Sequence, residues 1–247
     1  MIVYSVVGKI GSGKTFSCCY IENYLKSLGF PVLRISMADA LKMFVFETFG
    51  ILKNSNITKK EFEDKFLNKK EVITLHFFEF VDRNEFYVYP DKIKEMTEAI
   101  ETMLFNIPEK SIPRYIFQQV GTNIFRKFVD PSFWVKIVIR NLQDIYDWSP
   151  VLKNAIILID DIRFDNEFEE ISNVFCSSMI LKTRSLQDTC LSLGISLRDY
   201  VQMNNHPSEN GLSKIITRFP EVKNEEDLEI VCNMILKEIG NEDRSFV

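Results

Sequence analysis

Apolar residues fall in short runs separated by stretches with helical spacing. Ile2–Val7 is one such run; it ends at Gly8, and helical periodicity begins after Lys14. The chain therefore opens as strand, glycine-rich turn and helix, the helix reaching about Ser27 and stopping at Leu28-Gly29. Residues 32–36 predict a second buried strand and Asp39–Phe49 a helix. Residues 155–159, Ala-Ile-Ile-Leu-Ile, form the clearest buried strand in the chain. An amphipathic helix follows around 167–173, then a strand at 178–182, and a C-terminal helix spans 225–239. Helical patterns also cover 113–128 and, after the break at Pro131, 132–146. Strands alternating with helices predict an α/β fold with a mainly parallel sheet flanked by helices.

Between residues 53 and 110 the texture changes. Residues 53–70 are dense in charge, with Phe62 and Phe66 one helical turn apart, as in an exposed amphipathic helix or lid. An ordinary solvated helix face has the same pattern. Residues 77–89 are rich in aromatics and fit either a small hairpin or part of a helix, and 92–105 is helical again. The expected division is a core of 1–52 and 111–247 with a mainly α-helical insertion at 53–110.

Composition narrows the function classes. Of 247 residues, 46% are hydrophobic and 26% charged, a globular balance. A net charge of −5 argues against a nucleic-acid polymer as partner, because phosphate neutralisation needs a basic surplus. A local basic pocket for a small phosphorylated ligand is compatible with an acidic whole. Cys18, Cys19, Cys176, Cys190 and Cys232 contain no CxxC pair, and with only His76 and His206 they offer no metal-ligand spacing. A reducing compartment without disulfides is expected. The segment 1–7 lacks the basic start of a signal peptide, and no apolar run approaches the ~20 residues that span a bilayer. The expected location is the cytoplasm, without a membrane partner.

Gly8-Lys9-Ile10-Gly11-Ser12-Gly13-Lys14-Thr15 fits G-x-x-x-x-G-K-[ST], between a predicted strand and a predicted helix. In such a loop Gly11 and Gly13 let the backbone curl so that N–H groups, including that of Ser12, converge on a β-phosphate. Lys14 supplies an ammonium that can follow the γ-phosphate, Thr15 a hydroxyl for Mg²⁺, and the helix its positive N-terminal end. The implied ligand is ATP with Mg²⁺ on a P-loop NTPase core.

A magnesium site also needs a carboxylate at the C-terminal edge of a parallel strand. Asp160 and Asp161 follow the 155–159 strand; successive residues face opposite ways, so one of them aims at the nucleotide. A carboxylate there can equally cap the next helix. Arg163 lies on the face of Asp161 if the strand continues, and Glu167, one helical turn on, is placed to orient that arginine.

Four fragments in order complete the pattern: Arg114-Tyr-Ile-Phe-Gln118-Gln119-Val-Gly121-Thr122; Asp130-Pro-Ser-Phe-Trp134-Val135; Asp161-Ile-Arg163-Phe-Asp-Asn-Glu167; and His206-Pro-Ser208-Glu209-Asn-Gly-Leu212. Together with the loop, they resemble the deoxynucleoside monophosphate kinases of tailed bacteriophages, from the first strand to about residue 212. The resemblance implies a nucleoside-monophosphate-kinase-type fold and ATP-dependent phosphorylation of a dNMP substrate for viral DNA synthesis, often as a homodimer, in the host cytoplasm. It places Ser12 and Lys14 in the loop and makes Arg114 and Arg163 phosphate-contacting arginines. It sets Gly121, Thr122 and Trp134 at the acceptor nucleotide, and Asp161 and Glu167 around the metal and Arg163. One position departs: the family commonly follows the loop lysine with Asp-Thr, whereas this chain has Thr15-Phe16, so a contact made by that Asp is missing.

The residue chemistry points the same way, because phosphoryl transfer is mostly positioning and charge neutralisation. Trp134 offers a flat surface for a base or sugar, and reads equally as a core tryptophan among Phe133, Val135 and Ile137. Arg126 is a solvated helix residue or a further phosphate ligand. His206 reads as a hydrogen-bonded loop residue, since an anionic acceptor oxygen needs no base. Two other readings stand beside the kinase of dNMPs: a P-loop kinase for another small phosphorylated metabolite, and a nucleotide-dependent switch or binding module. The Asn-Lys-x-Asp pattern that reads guanine is lacking.

Overall fold

The computed structural model describes residues 1–204, 211–212 and 218–242. Two compact units are present: Met1–Met37 with Ile139–Val247, and Ala38–Val138.

The first unit is built on four parallel strands, β1 (Ile2–Val7), β2 (Val32–Ile35), β3 (Ile156–Ile159) and β4 (Cys176–Leu181), in the order β2-β3-β1-β4. Each strand predicted from sequence is present, β1 at the expected bounds and the others differing by a residue or two at an end. Ser5 pairs with Ile159 and with Met179, so the strands finish at a common C-terminal edge. Alternation divides the strands between two faces. Tyr4, Val6, Ile156, Leu158 and Ile180 meet Cys18, Ile21 and Leu25 of α1 (Lys14–Ser27), with Leu228, Val231 and Ile235 of the C-terminal helix Glu225–Glu242. The central strand β3 is buried throughout, the usual pattern for a parallel strand covered on both faces. The turn Phe164 onto α8 (Asp165–Val174) brings Ile171 to the core, fully buried. A parallel bridge, Lys182 to Val222, extends the sheet beyond β4.

The second unit is helical: α2 (Asp39–Phe49), α3 (Lys59–Phe66), α4 (Lys70–Arg83), α5 (Pro90–Phe105) and α6 (Ile112–Gln118). The last passes into a wider π-helical winding over Gln119–Val129, and α7 (Phe133–Trp148) follows. This unit extends beyond the 53–110 segment read as an insertion. Phe44 of α2 packs on Phe77, Phe80 and Phe125 at centroid distances of 4.7–5.1 Å, and Phe125 stacks on Phe133 at 4.7 Å. The core therefore recruits the elements on both sides of 53–110. The aromatic stretch 77–89 resolves as the end of α4 and a turn. In the charge-dense segment, Phe62 and Phe66 are buried at helical spacing, so its apolar stripe is a packing face. Thr58 starts α3 with a capping box: its Oγ1 accepts the Glu61 N–H at 3.3 Å and Glu61 Oε2 accepts the Thr58 N–H at 2.8 Å.

All five cysteines are free thiols. Among the described residues no helix is long and apolar enough to cross a membrane.

Candidate functional site

The glycine-rich loop leaves β1 at the common strand edge and turns into α1. Gly11 and Gly13 have φ of +74° and +93°, and Gly13 is the residue from which the helix starts. Lys14 folds back on the loop, its Nζ donating to the carbonyls of Gly8 at 2.8 Å and Lys9 at 2.9 Å. Ser12 is 3% exposed, and its hydroxyl has no hydrogen-bond partner. A buried hydroxyl left unmatched costs free energy, roughly 1–3 kcal/mol. A Cβ on Gly8 would run into the Lys182 carbonyl and lie 2.8 Å from Ser12 Oγ. The loop thus presses directly on the end of β4.

That edge opens on a cavity of about 450 Å³, within the size range of small-ligand sites. Its wall includes Lys9, Ser12 and Lys14 from the loop, Arg163 after β3, and Lys182 and Arg184 after β4. Among the described lining residues five side chains are cationic and none is a carboxylate, in a chain whose net charge is −5. Ile162, Leu181, Tyr200 and Leu212 supply an apolar side. Two elements that the sequence reading did not assign, α9 (Leu186–Leu193) and α10 (Leu197–Asn204), bring Thr189 and Tyr200 to this wall. Arg184 Nη1 reaches the Gly11 carbonyl at 3.5 Å.

The two carboxylates after β3 part company. Asp161 accepts from the Ser36 hydroxyl and, at 2.6 Å, from the Met37 N–H, so it ties the end of β2 to the end of β3. Asp160 acts on the buried Cys18 thiol, whose pKa is raised by burial first and by Asp160 next, and on Arg34. Cys18 lies on α1 one turn beyond Thr15, which is exposed. Both carboxylates therefore belong to the edge where the loop sits, on different neighbours.

Arg163 lines the cavity, and Glu167 sets its backbone. The Glu167 carboxylate is 2% exposed, and its Oε2 accepts the N–H of Arg163 at 2.7 Å and of Phe164 at 3.0 Å. Glu167 therefore holds the main chain at Arg163 and Phe164. Gly211, from the fourth fragment, packs against this turn: its carbonyl accepts the Asp165 N–H at 3.1 Å, and a Cβ on it would meet the Phe164 ring. Leu212 reaches the cavity. His206, Ser208 and Glu209 lie outside the described residues.

The remaining expected residues lie in the helical unit. Arg114 on α6 is half-buried and, among the described residues, has no hydrogen bond or ion pair. Thr122 is half-buried. Gly121 is buried, and a Cβ on it would fall 2.8 Å from Leu41 Cδ2. Trp134 is a core residue: it is 3% exposed, its indole N–H donates to the Gly121 carbonyl at 2.9 Å, and it touches Phe80, Phe125 and Phe133. The flat face read as an acceptor platform is covered by these rings. Arg126 donates to the Pro131 carbonyl at 2.7 Å, a local helix-end contact.

Lys182, Arg184, Thr189 and Tyr200 escaped the sequence reading. The first two carried a usable signal, because Lys182 ends a predicted parallel strand and Arg184 lies just beyond it, the kind of edge that singled out Asp160 and Asp161.

No family model matches the chain, and no curated protein matches it. Among solved structures, the crystal structure of TT1252 from Thermus thermophilus is similar over 96% of this chain and 97% of its own, at 18% identity and a TM-score of 0.45.

Proposed function

We propose that the chain is a kinase that phosphorylates deoxynucleoside monophosphates, dNMP and ATP giving dNDP and ADP, in the supply of precursors for viral DNA. The carrying observation is the cavity at the strand edge, where the described lining residues include five cations, no carboxylate and a buried Ser12 whose hydroxyl lacks a partner. Such a wall suits a polyphosphate, whose negative charge would offset the mutual repulsion of the lysines and arginines around it. The loop amides around Gly11, Ser12 and Gly13, with Lys14, would grip the donor's phosphates.

Thr15 and Asp161, or Asp160 in its place, would supply the oxygen donors that Mg²⁺ prefers. Bound there, Mg²⁺ would draw charge from the β- and γ-phosphates. In the transfer, an oxygen of the acceptor's phosphate bonds to the γ-phosphorus as the bond to the β,γ-bridging oxygen breaks, and ADP keeps that electron pair. The acceptor oxygen is already anionic at neutral pH, so no base is required. Arg163, its main chain held by Glu167, stabilises the spreading charge.

The dNMP class rests on the resemblance to the phage kinases. Within the helical unit, Arg114 is the proposed ligand of the acceptor's phosphate, and Gly121 and Thr122 belong to the same acceptor motif. A homodimer in the host cytoplasm is part of the same proposal.

The test is ADP release with each dNMP, with unrelated phosphate acceptors and with no acceptor. We expect turnover with one or more dNMPs, and in Arg163→Ala a fall in kcat of about 100-fold with nearly unchanged ATP binding. Turnover confined to another acceptor would identify a metabolite kinase, and acceptor-independent hydrolysis a nucleotide switch. An unchanged kcat in Arg163→Ala would remove that residue from the mechanism.

A further inference from the structure

We infer that Lys182 is a second anion-binding lysine of this site, an assignment that rests on the polyphosphate reading of the cavity. The side chain is 7% exposed and lines the cavity wall. Its Nζ donates to the carbonyls of Val222 at 3.3 Å and Lys223 at 2.9 Å. Its Cε lies 3.6 Å from where a Cβ on Gly13 would be, so the stem runs along the glycine loop.

A buried ammonium is ordinarily matched by a carboxylate. Among the described residues Lys182 has no ion pair. Asp227 is near enough to favour its charge, yet that carboxylate accepts the N–H groups of Lys223 at 2.8 Å and Asn224 at 3.1 Å. Around Lys182 stand Lys9, Lys14, Arg163 and Arg184 in the wall, and Glu221 and Lys223 beside the segment it bonds. Burial and then Arg184 outweigh Asp227, and the pKa of Lys182 is lowered.

A tether to two carbonyls alone would be served by a neutral amide, without the cost of desolvating a charge. Placing a cation among cations, in a wall shared with the unmatched Ser12 hydroxyl, disfavours the fold by itself and favours an anion beside it. Two of the three lysine donors are used on carbonyls, and the third remains for a phosphate oxygen. Lys14 from the loop and Lys182 from the neighbouring strand would then hold the polyphosphate from two elements.

The test is isothermal titration of the full chain with inorganic tripolyphosphate, for the wild type, Lys182→Gln and Lys182→Arg, from neutral to alkaline pH. Lys182→Gln keeps an amide tether and removes the charge; we expect binding about tenfold weaker or more, while Lys182→Arg stays within about threefold. The ammonium is charged below its pKa, so wild-type affinity should fall as pH rises through that lowered value. The step should be missing from Lys182→Arg, which stays charged. Unchanged affinity in Lys182→Gln, or the step persisting in Lys182→Arg, would overturn the assignment and leave the polyphosphate site standing. Failure of the wild type to bind tripolyphosphate would overturn that reading and this inference with it. Should Lys182→Gln not fold, the pH profile of Lys182→Arg decides.

Discussion

Gly11 has φ of +74°, and a Cβ built on it would fall 2.8 Å from Thr189 Cγ2 and 2.9 Å from Leu193 Cδ1. An L side chain there meets both backbone strain and the packing of α9. We expect Gly11→Ala to lower stability by about 1–3 kcal/mol in urea unfolding and to abolish tripolyphosphate binding. Gly29→Ala is the control, with φ of +86° and no atom within 4 Å of the added carbon, and should leave binding intact. Ser12→Ala should act in the opposite sense on the two readouts. Losing a buried hydroxyl without a partner should leave stability unchanged or raise it by up to about 1 kcal/mol, while tripolyphosphate affinity falls. The sequence spelled out these loop residues because the spacing of glycines and lysine encodes a local backbone path. Trp134 was not decidable in this way: the same indole serves a base or a core, and the ring packing around Phe125 settles it.

Some helix starts are set by residues inside or beside a stretch whose periodicity already marks a helix. The box at Thr58 and Glu61 starts α3, and Pro90 opens α5. We expect Thr58→Ala to cost about 1 kcal/mol, read in the urea transition of the helical unit. The helix pair α9 and α10 shows the opposite situation. Ser185 caps α9 by accepting the Asp188 N–H at 3.1 Å, and Gly194 ends it at φ of +63°. Those boundary signals are present in the sequence, but Leu186, Leu191 and Leu197 are exposed, so no continuous buried stripe announces the helices. The segment Gln119–Val129 was read as helical, and nothing in its spacing indicates the wider winding it adopts. Its unit boundary was illegible for a related reason. Phe44 and Phe125 join one core although many residues separate them, and periodicity within a window carries no information on that pairing.

At the level of the whole chain, the described hydrophobic residues form two separate cores, one around the sheet and one within Ala38–Val138. Each buries its own apolar surface, and such units can open separately. We expect calorimetry to show two transitions, and a ligand of the strand-edge cavity to raise only that of the sheet unit. One transition by every probe would show that the cores melt as a single cooperative body. The sequence contains two tryptophans, and they divide between the units: Trp134 is enclosed by phenylalanine rings, while Trp148 is 85% exposed. Intrinsic emission is therefore a built-in reporter of one half. A red shift on denaturation will record the release of Trp134, Trp148 will stay nearly silent, and the sheet with its glycine loop must be followed by another signal.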